Sequence, residues 1–341
     1  MEIREHEVIL PYTTFRMGSA VSYFAELNSL EDIEEFSDFA REKSLLFIPL
    51  GGGSNVIFPD EGELAACVGH IAISGFEIVS ENDQHAFVKV GAGEEWDEVV
   101  RRTVELGLSG IEVLSAIPGT AGATPIQNVG AYGQEISQTL VELEAFDLKE
   151  KKLITISKED CTFAYRDSKF KREWKGRYVI TSLILKLSKN TPHMPAYPGV
   201  EVHFANIGIK NPSLKQIRDA IIEIRKKKLP DPKDIASCGS FFKNPIVSKE
   251  VAERLRAAYL DMVSYPMDNG EVKLAAGWML ERLGLKGQRF GNIGVYPHNA
   301  LVLVNLGEAH RSELSQAIFH IQNKVREAFG VALEPEVVWI A

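Results

Sequence analysis

Cysteine is scarce in this chain, and its few thiols are poorly placed for structural work. Cys67, Cys161 and Cys238 are the three in 341 residues, far apart and with no C-x-x-C pair. An odd count without clustered spacing argues against a disulfide framework or a cysteine-based zinc site, and fits a reducing compartment. The eight histidines form no H-E-x-x-H pair or comparable ligand spacing, so no metal is expected. No apolar run approaches the roughly 20 residues of a membrane span. The opening MEIREHEVILPYTTF lacks the basic flank and apolar core of a signal peptide. A cytoplasmic protein without a membrane partner is expected. Positive charge is also short: 38 Lys and Arg face 47 Asp and Glu, for a net charge of −9. That argues against a nucleic-acid binder, whose footprint is a broad basic surface. It leaves room for a local basic pocket that takes a phosphorylated small molecule.

Hydrophobic residues at 45% and charged residues at 25% match a globular chain, and 341 residues exceed one ordinary core. Ser29 opens an expected helix, with Leu30, Ile33, Phe36 and Phe39 at helical spacing and Asp32 at the capping-box position. The apolar run 45–50 reads as a buried strand, broken by Gly51-Gly52-Gly53-Ser54-Asn55. A second region has strands near 71–80 and 86–90, a helix near 95–106, and strands near 140–146, 152–156 and 178–187. Within it, residues 117–133 carry four glycines and two prolines, which excludes a regular helix or central strand. An ordered stretch this long without secondary structure is usually functional. Residues 190–199 hold three prolines and read as an exposed loop. A third region follows, with helices near 213–228, 248–258 and 273–283, a strand near 300–304 and a helix near 312–329. The terminal strand-like piece 336–340 needs a partner, and pairing back onto the first region is one solution.

Several segments carry chemistry. In LGGGSN (50–55), glycines let backbone N–H groups approach a pyrophosphate, and Ser54 and Asn55 add donors; a plain tight turn is the ordinary alternative. No Lys-Ser/Thr closes it as in a Walker A loop. Gly91-Ala92-Gly93 lacks the third glycine of a Rossmann fingerprint, because Trp96 stands there, so a turn into a helix is the better account. Lys226-Lys227-Lys228 suits a helix C-terminus, and one of these lysines can hold a diphosphate. Ser240, in CGSFFKNP (238–245), has no G-x-S-x-G elbow around it. Without an activating base, it makes better sense as a proton donor than as a nucleophile. Arg166, in YRDSKF (165–170), suits a carboxylate or an enolic oxyanion, with a surface ion pair as the ordinary alternative. LEPEV (333–337) places Glu334 and Glu336 on one side of an extended strand, so spacing does not choose between them.

In order along the chain, LGGGSN, IPGTAGATPIQNVGAYGQE, YRDSKFK, KLPDPK, GSFFKNP, KLAAGWMLERLGLKG and LEPEV resemble the successive motifs of the MurB family of UDP-N-acetylenolpyruvoylglucosamine reductases. The loop bearing Tyr197 resembles the type I form, which has a tyrosine lid. The resemblance implies an α+β fold: a two-lobed FAD-binding domain of the vanillyl-alcohol oxidase or p-cresol methylhydroxylase type, followed by an α/β substrate-binding domain. It places one lobe at 1–71 with 331–341, the second at 72–211 and the substrate domain at 212–330. It implies non-covalent FAD on Gly51, Gly52, Gly53, Ser54, Asn55, Pro118, Gly119, Thr120, Gly122, Gln127, Asn128, Gly130 and Tyr132. NADPH is the implied hydride donor and UDP-N-acetylglucosamine enolpyruvate the implied substrate, in peptidoglycan precursor synthesis.

By the same resemblance, flavin N5 delivers hydride to the enol ether, Arg166 and Glu336 stabilise the enolate-like charge, and Ser240 donates the proton. Tyr197, Lys228, Asn244, Tyr265 and Asn299 match positions that hold the sugar nucleotide, with Asn299 standing where the family often has glutamine. A monomer is expected. Two other functions share much of this pattern. One is a flavin oxidase or dehydrogenase of the same fold, which often carries a histidine for covalent flavin near the glycine loop; LGGGSN has none beside it. The other is a non-catalytic flavin-binding module.

Overall fold

The structure, a computed structural model, describes residues 1–195 and 197–341. Two compact units emerge. The first comprises Met1–Val8, Ala20–Gly53 and Glu63–Arg225, and the second comprises Ile9–Ser19, Ser54–Gly62 and Lys226–Ala341.

The first unit holds two sheets. One has the strand order Ile3–Val8, Ala20–Leu27, Glu63–Ile71, Leu46–Leu50, and its last three strands are parallel. A parallel connection needs a crossover, and helix α1 (Leu30–Glu42) supplies it. The expected capping box is present: Ser29 Oγ accepts from the Asp32 N–H, and the Asp32 carboxylate accepts from the Ser29 N–H. Ile33 and Phe36 bury the inner face of α1, while Phe39 lies half-buried with its ring edge-on to Tyr23. The other sheet is antiparallel, in the order Lys152–Ser157, Leu140–Asp147, Tyr178–Ser188, His85–Gly91, Phe76–Glu81. Helix α2 (Trp96–Glu105) begins on Trp96, which is buried and donates its indole N–H to Leu114 O. The position that spoils the dinucleotide fingerprint is thus a core residue.

Helix α3 (Pro198–Asn206) begins at the end of the expected loop 190–199 and runs beyond it. Pro198 occupies a first helical position, where a missing N–H costs nothing. Helix α4 (Leu214–Lys228) belongs to this unit through Arg225, with Ile217 and Ile221 fully buried.

In the second unit, one sheet runs Ala236–Ser240, Val302–Asn305, Ile293–Val295, Arg289–Phe290. A smaller sheet runs Ile246–Val247, Val272–Leu274, Ser264–Pro266. Helices α5 (Lys249–Ala258), α6 (Ala276–Arg282) and α7 (Arg311–Phe329) cover the core. The helix expected at 273–283 is shorter, because its first residues form the central strand of the small sheet. Val272 and Leu274 point inward there with Lys273 between them, a period of two that the following helical pattern obscures. The terminal strand Val338–Trp339 pairs in parallel with Val56–Ile57. That pairing brings 54–62 and the C-terminus into the second unit, a grouping that differs from the division at 71, 211 and 330. Among the described residues no helix is long and apolar enough to cross a membrane.

Candidate active site

In the first unit, three of the segments singled out from sequence converge. Gly51 and Gly52 leave the end of Leu46–Leu50 and lie against Gly119 and Thr120. A Cβ on Gly51 would fall 2.5 Å from Thr120 Oγ1, and one on Gly52 would fall 2.8 Å from Gly119 Cα. Only glycine permits such backbone contact. Gly53 and Gly119 have positive φ, at 59° and 118°. Among the described residues, the N–H groups of Gly52, Gly53 and Gly119 have no hydrogen-bond partner, although Gly53 is buried. Buried backbone donors are rarely left unpaired. Unspent donors on two adjoining glycine-rich loops fit the pyrophosphate of FAD. Gly122 is also closely packed, its N–H bonded to Ala92 O at 2.9 Å. Pro118 and Gln127 belong to this same segment, 118–130.

The segment then meets the Tyr165–Phe170 turn. Arg166 has a left-handed backbone, φ 53°, and its Nη2 donates to Gly130 O at 2.5 Å. Ser168 Oγ donates to Ile126 O at 2.6 Å. Asn128 is buried, and its amide is spent inside the protein: Nδ2 donates to Glu135 Oε2 and Ala164 O, and Oδ1 accepts from the Ser137 N–H. Its side chain therefore braces the loop.

A half-buried cation backs this region, and the sequence reading missed it. Arg225 on α4 donates from Nε to Ala116 O at 3.2 Å and hydrogen-bonds the Tyr132 hydroxyl. Burial pushes its guanidinium down from its ordinary value, and Tyr132 opposes that shift. Burial likewise raises the Tyr132 phenol against the pull of Arg225. Nearby, Arg218 grips Asp97 with two bonds of 2.6 and 2.9 Å, and the Ala116 N–H donates to Asp97 at 2.5 Å. Burial alone would raise the Asp97 carboxyl, but these donors outweigh it and hold it below the usual range. The available signal was Arg218 and Arg225, seven residues apart on the helix face that also carries Ile217, Ile221 and Ile224.

In the second unit, Ser240 ends the strand Ala236–Ser240, opposite Val302 and next to a left-handed Gly239, φ 68°. The following residue, Phe241, accepts at its carbonyl from the Glu336 N–H at 2.8 Å. Asn55 lies on the same ladder: its carbonyl accepts from the Val338 N–H at 2.9 Å, and its Nδ2 reaches Glu336 O at 3.4 Å. Residues 281 positions apart are thereby neighbours. The structure also distinguishes the two glutamates that spacing could not separate. Glu334 is 74% exposed and pairs with Lys243 at 3.2 Å, whereas Glu336 is half-buried beside the Ser240 strand end.

Asn244 Oδ1 accepts from the Ala276 N–H at 2.9 Å, and Asn299 Oδ1 accepts from the Leu301 N–H at 3.0 Å. Both amides are thus oriented by the protein itself. Tyr265 sits half-exposed on an edge strand beside Lys273, and Lys228 ends α4 exposed. Tyr197, in the first unit, lies edge-on to Tyr132, with ring centroids 5.2 Å apart. The division between units falls between Gly53 and Ser54, so the LGGGSN loop contributes to both. Cys238 is buried, its thiol pushed up to about 12 by burial, which removes it as a nucleophile. Among the described residues no group of His, Cys, Asp and Glu is placed to hold a metal.

Residues 231–340 match the C-terminal domain of UDP-N-acetylenolpyruvoylglucosamine reductase, and residues 21–157 match an FAD binding domain. The chain is 38% identical to the UDP-N-acetylenolpyruvoylglucosamine reductase of Flavobacterium johnsoniae over 339 residues, covering 99% of both chains. It is 40% identical to the reductase of the same name from Pseudomonas aeruginosa over 336 residues, covering 98% of both. Its fold is similar to the crystal structure of the reductase MurB from Thermus caldophilus, with a TM-score of 0.69 over the whole of both chains at 21% identity.

Proposed function

The chain belongs to the UDP-N-acetylenolpyruvoylglucosamine reductase family and carries an FAD-binding domain, and from that premise we propose that it reduces UDP-N-acetylglucosamine enolpyruvate to UDP-N-acetylmuramate with NADPH. The observation that carries the catalytic reading is the Glu336–Phe241 backbone bond, which puts a half-buried carboxyl beside the strand end that presents Ser240.

FAD, when bound, supplies the two-electron relay between NADPH and the methylene carbon of the enol ether. The chain's own residues do the rest. As hydride adds to the methylene carbon, negative charge spreads into the substrate carboxylate, and the Arg166 guanidinium stabilises it. Glu336 contributes as a hydrogen-bonding, protonated carboxyl, since an anion there would repel the developing charge. Ser240 gives its proton to the adjacent carbon, which completes net addition of one hydride and one proton across the double bond.

Gly51–Gly53, Ser54, Asn55 and the 118–130 segment hold FAD without a covalent bond. Tyr197, Lys228, Asn244, Tyr265 and Asn299 hold the sugar nucleotide. With Oδ1 of Asn299 occupied by the Leu301 N–H, its Nδ2 is the end that can donate to a ligand. The product belongs to peptidoglycan precursor synthesis, and we place the enzyme in the cytoplasm as a monomer.

The test is anaerobic. NADPH should bleach the flavin, and UDP-N-acetylglucosamine enolpyruvate should restore its colour with one equivalent of UDP-N-acetylmuramate formed. Reduced flavin that the enolpyruvyl sugar does not reoxidise, but oxygen does, would point to an oxidase instead.

A further inference from the structure

Residues 190–195, upstream of Tyr197, make few backbone hydrogen bonds among the described residues. Residues Asn190–Pro195 span a cavity of about 360 Å³, walled on the protein side by Ser109, Glu112 and Gln134 among others. Among the described residues, Gln134 Oε1 is buried there without a hydrogen-bond partner. Thr191, His193 and Met194 make no backbone hydrogen bond among the described residues, and Pro192 and Pro195 have no N–H to give. Met194 packs against the core, but a segment with few backbone bonds opens at low cost.

Its far end is anchored differently. Tyr197 packs edge-on against Tyr132, with centroids 5.2 Å apart and planes at 82°. Tyr132 is itself fixed. It sits at φ 51° in the tight turn between Gly130–Ala131 and Gln134–Glu135, and its hydroxyl bonds the half-buried Arg225, which in turn holds Ala116 O. The seat is held by several bonds, and residues 190–195 by few.

We propose that Tyr132 is a positioning residue whose ring seats the Tyr197-bearing loop, setting the fraction of enzyme in which Tyr197 is ready to meet the substrate. The consequence for substrate rests on the reading of Tyr197 as a sugar-nucleotide contact; the seating itself does not. An aromatic edge-to-face pair of this kind is worth a factor of about three to ten. A competent state populated less often weakens apparent affinity by that same fraction.

The test is a double-mutant cycle on the holoenzyme with Tyr132→Leu, Tyr197→Leu and the pair. It is read by amide hydrogen exchange at Tyr197, Val200 and Glu201, whose N–H groups are bonded at the loop end and the first turn of α3. Each single variant should exchange about three- to tenfold faster, and the double variant no faster than either. KM for the enolpyruvyl sugar should rise in Tyr132→Leu more than kcat falls. Should Tyr132→Leu prove unfolded, Tyr132→Phe keeps the ring that Tyr197 rests on while losing the bond to Arg225, and its exchange should rise less than that of Tyr197→Leu. Unchanged exchange in Tyr132→Leu or Tyr197→Leu, Leu-like exchange in Tyr132→Phe, or multiplied effects in the double variant would overturn the seat. An unmoved KM in Tyr197→Leu, with the exchange cycle intact, would instead remove Tyr197 from substrate binding and leave the seat standing.

Discussion

The two units carry their candidate functional residues by opposite means. In the first, the construction is mostly backbone: Gly51 and Gly52 make room by having no side chains, and among the described residues the N–H groups of Gly52, Gly53 and Gly119 are left unspent. In the second, it is side chains hung on the ends of ordinary strands, with Ser240 and Glu336 made neighbours by one ladder bond. A backbone site is tied to folding, so changing it should damage stability and cofactor together. A side-chain site can lose its chemistry while the fold stays intact.

The sharpest separation should come from Ser240→Ala. Loss of a general acid costs about 10²–10⁴ in rate, so reoxidation of reduced flavin by the enolpyruvyl sugar should slow by that factor. Melting temperature and NADPH-driven flavin reduction should barely change. Stopped-flow measurement of the two half-reactions decides it, and equal rates in both would return Ser240 to a structural role.

Arg166 crosses the comparison, since it is a side chain in the backbone-built unit. Arg166→Ala should lose about 3 kcal/mol of oxyanion stabilisation, visible as slower reoxidation. Because Arg166 also donates to Gly130 O, a modest fall in melting temperature should accompany it. A reoxidation rate equal to wild type would remove Arg166 from the chemistry.

Gly52→Ala probes the backbone side directly. Its Cβ would lie 2.8 Å from Gly119 Cα, and backbone cannot swing away. Forced overpacking costs about 1–3 kcal/mol, so lower thermal stability and faster flavin release on dilution are expected together. Retained stability with intact flavin content would show that the two loops adjust freely.

The Asp97–Arg218 pair predicts a pH dependence confined to the first unit. Donors hold the Asp97 carboxyl below its unfolded value, despite burial, so its stabilising contribution is present above about pH 4. It is lost as pH falls through the lower, folded value. Asp97→Asn should therefore weaken the protein near neutrality and flatten the fall in stability below about pH 4, as chemical denaturation across pH would reveal.

The smallest effect should come from Glu334→Gln. Exposed pairs such as Glu334–Lys243 are worth about 0–1 kcal/mol, so turnover and stability should hardly move. Glu336→Gln should slow reoxidation clearly. Equal effects at the two positions would undo the distinction between them.

Much of the local structure was legible in the chain. The Ser29–Asp32 box, the buried strand Leu46–Leu50 and the start of α2 at Trp96 are written within a few residues, because capping and periodicity are short-range. The glycine-built turns within 51–53 and 118–133 were legible for the same reason: only their own φ values and missing Cβ atoms are at issue. The order of motifs carried the family. Three things were decided by tertiary structure alone: that Glu336 lies beside the Ser240 strand end while Glu334 faces solvent, that Asn128 braces Arg166's loop, and that Arg225 hydrogen-bonds Tyr132. Each depends on hydrogen bonds or packing between residues 36 to 281 positions apart in sequence or on neighbouring elements. Such partners are chosen by sheet register and helix docking, which no short stretch of sequence encodes.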